Sequence, residues 1–158
     1  MKKELTFKEI EFLRESNGIE GVYDANSLEH AIKAWKYLKT KKKLTPFVVK
    51  AVHKLLMKNQ PIFEDEKGKY RKVGVTIAGR LGLEWSKIEE KMKTWCDNVA
   101  LSQKHWQIHH IEYEKIHPFI DGNGRTGRMF MNWERLKEEK KILVIKAEDR
   151  QEYYKWFR

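Results

Sequence analysis

The chain has 158 residues, enough to bury one real core but short for two domains, and 41% of them are apolar, six being tryptophan. Its one cysteine, Cys96, excludes an intrachain disulfide and favours a reducing, cytoplasmic setting, while no apolar run reaches the roughly twenty residues of a membrane-spanning helix. The net charge of +10 is dispersed, Lys39-Thr-Lys-Lys-Lys43 being the one dense run, so a nucleic-acid-binding stripe is not expected.

The segment Met1-Lys-Lys-Glu-Leu lacks the apolar stretch of a signal peptide. Thr6-Phe-Lys-Glu9 has the form of a capping box and opens a helix with Phe7, Ile10 and Leu13 on one side. That helix is expected to loosen or end around Ser16-Asn17-Gly18, since glycine costs about 0.5–1 kcal/mol in a helix interior. Asn26, with Glu29 three later, marks a second start, and Leu28, Ala31, Ile32, Trp35 and Leu38 hold a helical stripe. Thr45 as cap and Pro46 in the first turn introduce a third helix through Val48, Val52, Leu55 and Leu56, closed by Asn59-Gln-Pro61. Residues 64–79 break the pattern. They are rich in glycine and then alternate around Val73, Val75 and Ile77, which predicts a short hairpin or an extended edge. Trp85, Ile88, Met92, Trp95 and Val99 restore helical spacing. Leu101, Ile108, Ile111 and Ile116 lead a further helix into residues 117–128, and Met129, Phe130, Trp133 and Leu136 carry one out. No internal repeat or low-complexity segment is present. The expected fold is a single all-α bundle over residues 1–158, with a short β-hairpin as its one exception.

Residues 117–128 read His-Pro-Phe-Ile-Asp-Gly-Asn-Gly-Arg-Thr-Gly-Arg. His117, with an ordinary pKa of about 6.5, can take a proton from a hydroxyl near neutral pH. Asp121 offers the hard oxygen that magnesium shares with substrate phosphates. Gly122 and Gly124 flank Asn123 and allow successive N–H groups to converge on an oxyanion, at the positive end of a helix that begins nearby. Arg125 and Arg128 fall on neighbouring points of one turn, where each planar fork can hold phosphate oxygens. Base, metal ligand, anion cradle and charge clamps are contiguous, which suits phosphate chemistry.

Gly122-Asn-Gly-Arg-Thr-Gly127 also satisfies the dinucleotide fingerprint G-x-G-x-x-G, but that fingerprint follows a buried strand, and Pro118 and two polar groups precede it here. A phosphate-binding P-loop needs Gly-Lys-Ser or Gly-Lys-Thr, which is absent. A calcium loop fails because Arg125 and Asn132 stand where ligands belong. His105, His109, His110 and His117 lack the cysteine or carboxylate helpers of a zinc site.

The twelve residues resemble the complete H-x-F-x-[DE]-G-N-G-R-x-x-R signature of the Fic family. The resemblance implies a Fic-type helical bundle that transfers AMP from ATP, with Mg2+, to a Ser, Thr or Tyr hydroxyl of a target protein, or of the chain itself. His117 would be the base and Asp121 the metal ligand. Gly122, Asn123 and Gly124 would cradle phosphates, Arg125 and Arg128 would hold the β- and γ-phosphates, and Phe119 would anchor the loop. Residues 64–80, with the glycine-x-tyrosine-arginine pattern at Tyr70 and Arg71, would form a flap. Its edge at Val73, Gly74, Val75, Thr76 and Ile77 would align the target backbone by strand addition. Within a segment spanning residues 1–25, Ser16-Asn-Gly-Ile-Glu20-Gly21 resembles the family's inhibitory pattern, in which Glu20 would engage Arg128 and stop it from clamping the γ-phosphate. Asp149-Arg-Gln-Glu-Tyr153-Tyr154 is similar to the segment closing over the base, although aromatic packing explains Tyr153 and Tyr154 equally well. Relatives with the same residues transfer UMP, phosphate or phosphocholine, or remove AMP. A nucleotide-binding regulator without transferase activity, and association into homo-oligomers, also fit the sequence.

Overall fold

A computed structural model describes residues 4–158. Its helices are α1 (Phe7–Ile19), α2 (Ala25–Lys39), α3 (Pro46–Leu56), α4 (Ile88–Ala100), α5 (Trp106–Ile116), α6 (Asn123–Lys137) and α7 (Arg150–Tyr154). Two strands, β1 (Thr76–Ile77) and β2 (Arg80–Leu81), form an antiparallel hairpin between α3 and α4. The expected all-α bundle with a short hairpin is what the chain adopts. Among the described residues, no helix is long and apolar enough to cross a membrane.

The capping box at α1 forms: Glu9 N donates to Thr6 Oγ1 (3.2 Å) and Thr6 N to Glu9 Oε2 (2.8 Å). Glu9 is itself buried, and its other oxygen accepts from Trp35 Nε1 (3.2 Å) and Lys39 Nζ (2.5 Å), so the cap also locks α1 to α2. The helix ends at Ile19, one residue past Ser16-Asn17-Gly18, close to where it was expected to. Gly18 is tolerated there because the chain passes close by, a Cβ at this position standing 3.2 Å from Ala147 Cβ and 3.3 Å from the Tyr23 ring. The second helix is capped by Asp24, whose carboxylate accepts from Ser27 N (2.9 Å), and not by Asn26. The third starts at the expected Thr45 cap with Pro46 in its first turn.

The core joins Trp35, Leu38, Val49, Val52, Met57, Met92, Tyr113, Phe119 and Phe130. It therefore lies directly behind residues 117–128, since α5 and α6 enclose that loop and α3 packs across its base. The apolar residues expected to lead α5 divide between its two faces, with Ile116 packed against the core. Ile108 and Leu101 are exposed, and α5 buries Trp106, His109, His110 and Tyr113. The two histidines tolerate burial because each has a polar partner: Glu134 Oε1 lies 2.6 Å from His109 Nδ1, and Tyr153 and Gly127 face His110.

Candidate active site

Two residues in left-handed backbone conformation set the loop's shape. His117, with φ of 51°, caps α5 and turns the chain away from it, and Gly122, with φ of 85°, turns it into α6. A Cβ on Gly122 would meet Met57 Sδ at 2.7 Å, so both conformation and space require glycine. The first backbone bond of α6 runs from Thr126 N to Gly122 O (3.0 Å), which leaves the amides of Asn123, Gly124 and Arg125 ahead of it without intrahelical carbonyls. These amides sit at the positive end of the helix dipole, where an anion is stabilised.

Asn123 holds the loop shut through its side chain: Oδ1 accepts from Phe119 N (2.9 Å) and Nδ2 donates to Phe119 O (2.8 Å). Phe119 is fully buried and stacks on His53 with ring centroids 3.7 Å apart. His53 was not singled out in the sequence. Its Nδ1 accepts from Gly68 N (2.9 Å), so Nε2 carries the proton and donates to Asp121 O (2.8 Å). Burial, the dominant cause, pushes its pKa down to about 4, and the neutral ring ties α3, the turn at Gly68 and the loop together.

Arg71 does the same from the flap side. Its guanidinium donates to the carbonyls of His117 (2.7 Å), Val73 (2.8 Å) and Leu83 (2.6 Å), and its own N–H donates to Pro118 O (2.9 Å). The strand ladder is short: Thr76 faces Leu81, Ile77 faces Arg80, and Ala78 and Gly79 form the turn with positive φ. Of the proposed docking edge, Val73, Gly74 and Val75 precede the strand, although Gly82 N still donates to Val75 O (2.8 Å).

His117 is half-buried. Burial lowers its pKa from the ordinary histidine value, partly offset by the Glu114 carbonyl, which lies near the ring without completing a regular hydrogen bond to the buried Nδ1. Nε2 is the nitrogen with access to solvent. The Asp121 carboxylate is half-exposed. One oxygen accepts from Gly122 N (2.8 Å) and the other stands 3.4 Å from Arg125 Nη2, so it keeps free lone pairs. A single hard oxygen of this kind fits magnesium bound chiefly through phosphates and water. Arg125 is buried with Nη1 on Gln60 Oε1 (2.9 Å), another residue that the sequence did not suggest, and its Nε has no partner.

The second arginine is engaged throughout. Arg128 Nε donates to Ser16 Oγ (2.8 Å), Nη2 to Ser16 O (3.1 Å) and Glu20 Oε1 (2.7 Å), and Nη1 to Tyr153 OH (3.3 Å). Burial opposes its charge, but Tyr153, Glu20 and Glu114 outweigh that and raise its pKa. A Cβ on Gly124 would stand 2.5 Å from Glu20 Oε1, which places the carboxylate directly over the amide cradle. Tyr153 is buried beside Arg128, while Tyr154 keeps 37% of its surface exposed. Residues more than a hundred positions apart in sequence thus meet at one point: an acid, an arginine and a ring of free amides.

The Fic/DOC family model matches residues 43–134. Among curated proteins, the protein adenylyltransferase Fic of Nematostella vectensis is 31% identical over 99 residues, covering 58% of this chain and 23% of that protein. The protein of the same name from Drosophila grimshawi is 29% identical over 96 residues, covering 56% and 20%. The chain thus matches a quarter or less of the length of these relatives. Among solved structures, a Fic domain containing signaling protein from Bacteroides thetaiotaomicron superposes with a TM-score of 0.80 at 20% identity, over 94% of this chain and 69% of that one. Fic-1 from C. elegans gives 0.78 at 17% identity, over 96% and 55%. At such identities the likeness to solved structures is one of fold.

Proposed function

The chain belongs to the Fic/DOC family, and from that premise we propose that it is a protein adenylyltransferase which transfers AMP from ATP to a target hydroxyl and is held off by Glu20. The observation that carries this reading is the position of the Glu20 carboxylate. It sits over Gly124 and on Arg128 Nη2, an anion placed where the free amides and the arginine converge. A site built to take one oxyanion in this way suits a phosphate once Glu20 has left.

In the proposed reaction, the oxygen of a Ser, Thr or Tyr side chain attacks the α-phosphorus of ATP, the bond to pyrophosphate breaks, and His117 Nε2 takes the hydroxyl proton. A general base of this kind contributes about 10²- to 10⁴-fold. Its lowered pKa keeps the ring neutral, and so able to accept, at and somewhat below neutral pH. The amides of residues 123–125 and the guanidinium groups of Arg125 and Arg128 fix the phosphates and offset their charge, the usual source of most acceleration in phosphoryl chemistry. Asp121 would hold magnesium, which supplies further charge neutralisation on the phosphate oxygens. The flap, stapled to His117 by Arg71, would present the target by strand addition along residues 73–77.

The test is transfer of α-labelled ATP to protein in a cell lysate with magnesium, comparing the native chain, Glu20→Gly, and Glu20→Gly with His117→Ala. Labelling should rise with the first change and vanish with the second. Label that persists without His117 would remove the catalytic assignment. If none of the three chains transfers label although ATP binds, the reading gives way to that of a nucleotide-sensing regulator.

A further inference from the structure

Arg128 is gripped from two sides. Ser16 Oγ, Ser16 O and Glu20 Oε1, all contributed by α1 and its C-terminal cap, take three of its four hydrogen bonds, and Tyr153 OH takes the fourth. The tyrosine is itself oriented. A backbone carbonyl can only accept, so His110 Nδ1, 3.2 Å from Gly127 O, carries the ring proton. Burial, reinforced by the charge on Arg128, pushes the pKa of His110 to about 3, so the ring is neutral and Nε2 has only a lone pair. The hydroxyl 2.7 Å away must then donate to Nε2, which turns its own lone pairs toward Arg128 Nη1. Hydrogen bonds therefore run in one direction, from Arg128 to Tyr153, to His110, to the Gly127 carbonyl on the arginine's own helix. The tyrosine ring is fixed by packing on Trp156 and Phe157 and lies under the guanidinium, 5.5 Å from centroid to Cζ.

Resting on the function proposed above, we propose that Tyr153, oriented by His110, is a positioning residue that keeps Arg128 aimed at the anion site when α1 no longer holds it. The two Nη atoms border that site, standing 2.9 and 3.2 Å from where a Cβ on Gly124 would lie. If α1 moved away, all three of its bonds would be lost together. Tyr153 would then be the only one of the present partners still bonded to the guanidinium. Without it the arginine would have to be ordered by the nucleotide itself, and binding would become weaker.

The experiment replaces Tyr153 with Phe, which keeps the ring and removes the hydroxyl. Three quantities are read in a chain that carries Ser16→Ala and Glu20→Gly together, which removes the acid and loosens α1 from Arg128: the NMR signals of the Arg128 guanidinium, kcat/KM for AMP transfer, and the urea midpoint. The Nη signals should lose their restricted rotation and kcat/KM per folded molecule should fall about tenfold, the scale of one hydrogen bond to a charged group, beyond whatever the shift of the midpoint accounts for. In an Arg128→Ala background, Tyr153→Phe should add nothing. Unchanged Arg128 signals, or a loss of activity that tracks a fall in the urea midpoint, would overturn the proposal. If Glu20→Gly transfers no AMP, the adenylyltransferase reading fails separately, and the guanidinium signals still decide the role of Tyr153.

Discussion

Arg71→Leu tests whether the flap and the catalytic loop are one mechanical unit. The side chain is 4% exposed and donates to the carbonyls of His117, Val73 and Leu83 at 2.7, 2.8 and 2.6 Å, with a weaker contact to Ile116 O at 3.4 Å. A hydrogen bond from a charged donor contributes about 1.5–3 kcal/mol. Not all of that is lost, because Val73 is half-exposed and water can replace the guanidinium there. The carbonyls at the buried end of the site have no such substitute, so the net loss should be about 2–4 kcal/mol. For a domain of this size each kcal/mol lowers the melting temperature by about 2–4 °C, giving an expected fall of about 5–15 °C by calorimetry. Because the His117 carbonyl would be released as well, AMP transfer in the Glu20→Gly background should drop by on the order of a hundredfold, the usual result of misplacing a catalytic group by about 1 Å. Arg71→Lys should recover little, since an ammonium cannot reproduce the planar fork that meets separate carbonyls. A melting temperature within about 2 °C of the native value, with transfer intact, would show that the two segments hold their positions independently.

His53→Phe should preserve the stack on Phe119 yet cost about 2–3 kcal/mol in urea unfolding, because Asp121 O and Gly68 N both lose their partner. Gly124→Ala should weaken MgATP binding at least tenfold by titration, since its methyl would stand 2.9 Å from Arg128 Nη1 at the mouth of the cradle. The acid limb of the pH dependence of AMP transfer by Glu20→Gly should lie on the acid side of that of an ordinary histidine. The base must be neutral to act, and burial lowers the pKa of His117. Glu114, raised to about 7 chiefly by burial, holds more protons in the folded than in the unfolded chain between pH 4.5 and 7, so its contribution to stability declines as pH rises through that window. Glu114→Gln should accordingly gain about 1–3 kcal/mol over the native chain at pH 8 and nothing at pH 4.5, read from urea midpoints.

What could be read in advance follows the range of each interaction. Caps such as Thr6 and Thr45 act over three residues, and the loop at 117–128 carries its glycines, acid and arginines in one run, so both were visible as local spacing. His53 and Gln60 could not be found that way. Each meets its partner more than sixty positions along the chain. Burial of His109 and His110 on α5 is not legible from periodicity for a related reason: Glu134, Gly127 and Tyr153, whose polar groups make it acceptable, come from later elements.

The contacts around Arg128 also constrain how the site could be released. The Glu20 carboxylate is 36% exposed, so its ion pair with Arg128 is weakened by water and contributes only modestly to stability. Its inhibitory strength would come instead from proximity: a tethered carboxylate competes at an effective concentration of the order of mM or higher, which a free nucleotide must exceed. Ser16 anchors the same helix through two further bonds to Arg128 that are buried. The two residues therefore have separable effects. Glu20→Gly should open the anion site while α1 stays seated, whereas Ser16→Ala should loosen the helix and leave its carboxylate free to return. Nucleotide affinity should accordingly rise far more with the first change than with the second, and equal increases would mean that displacement of the helix, rather than the acid at its end, controls access.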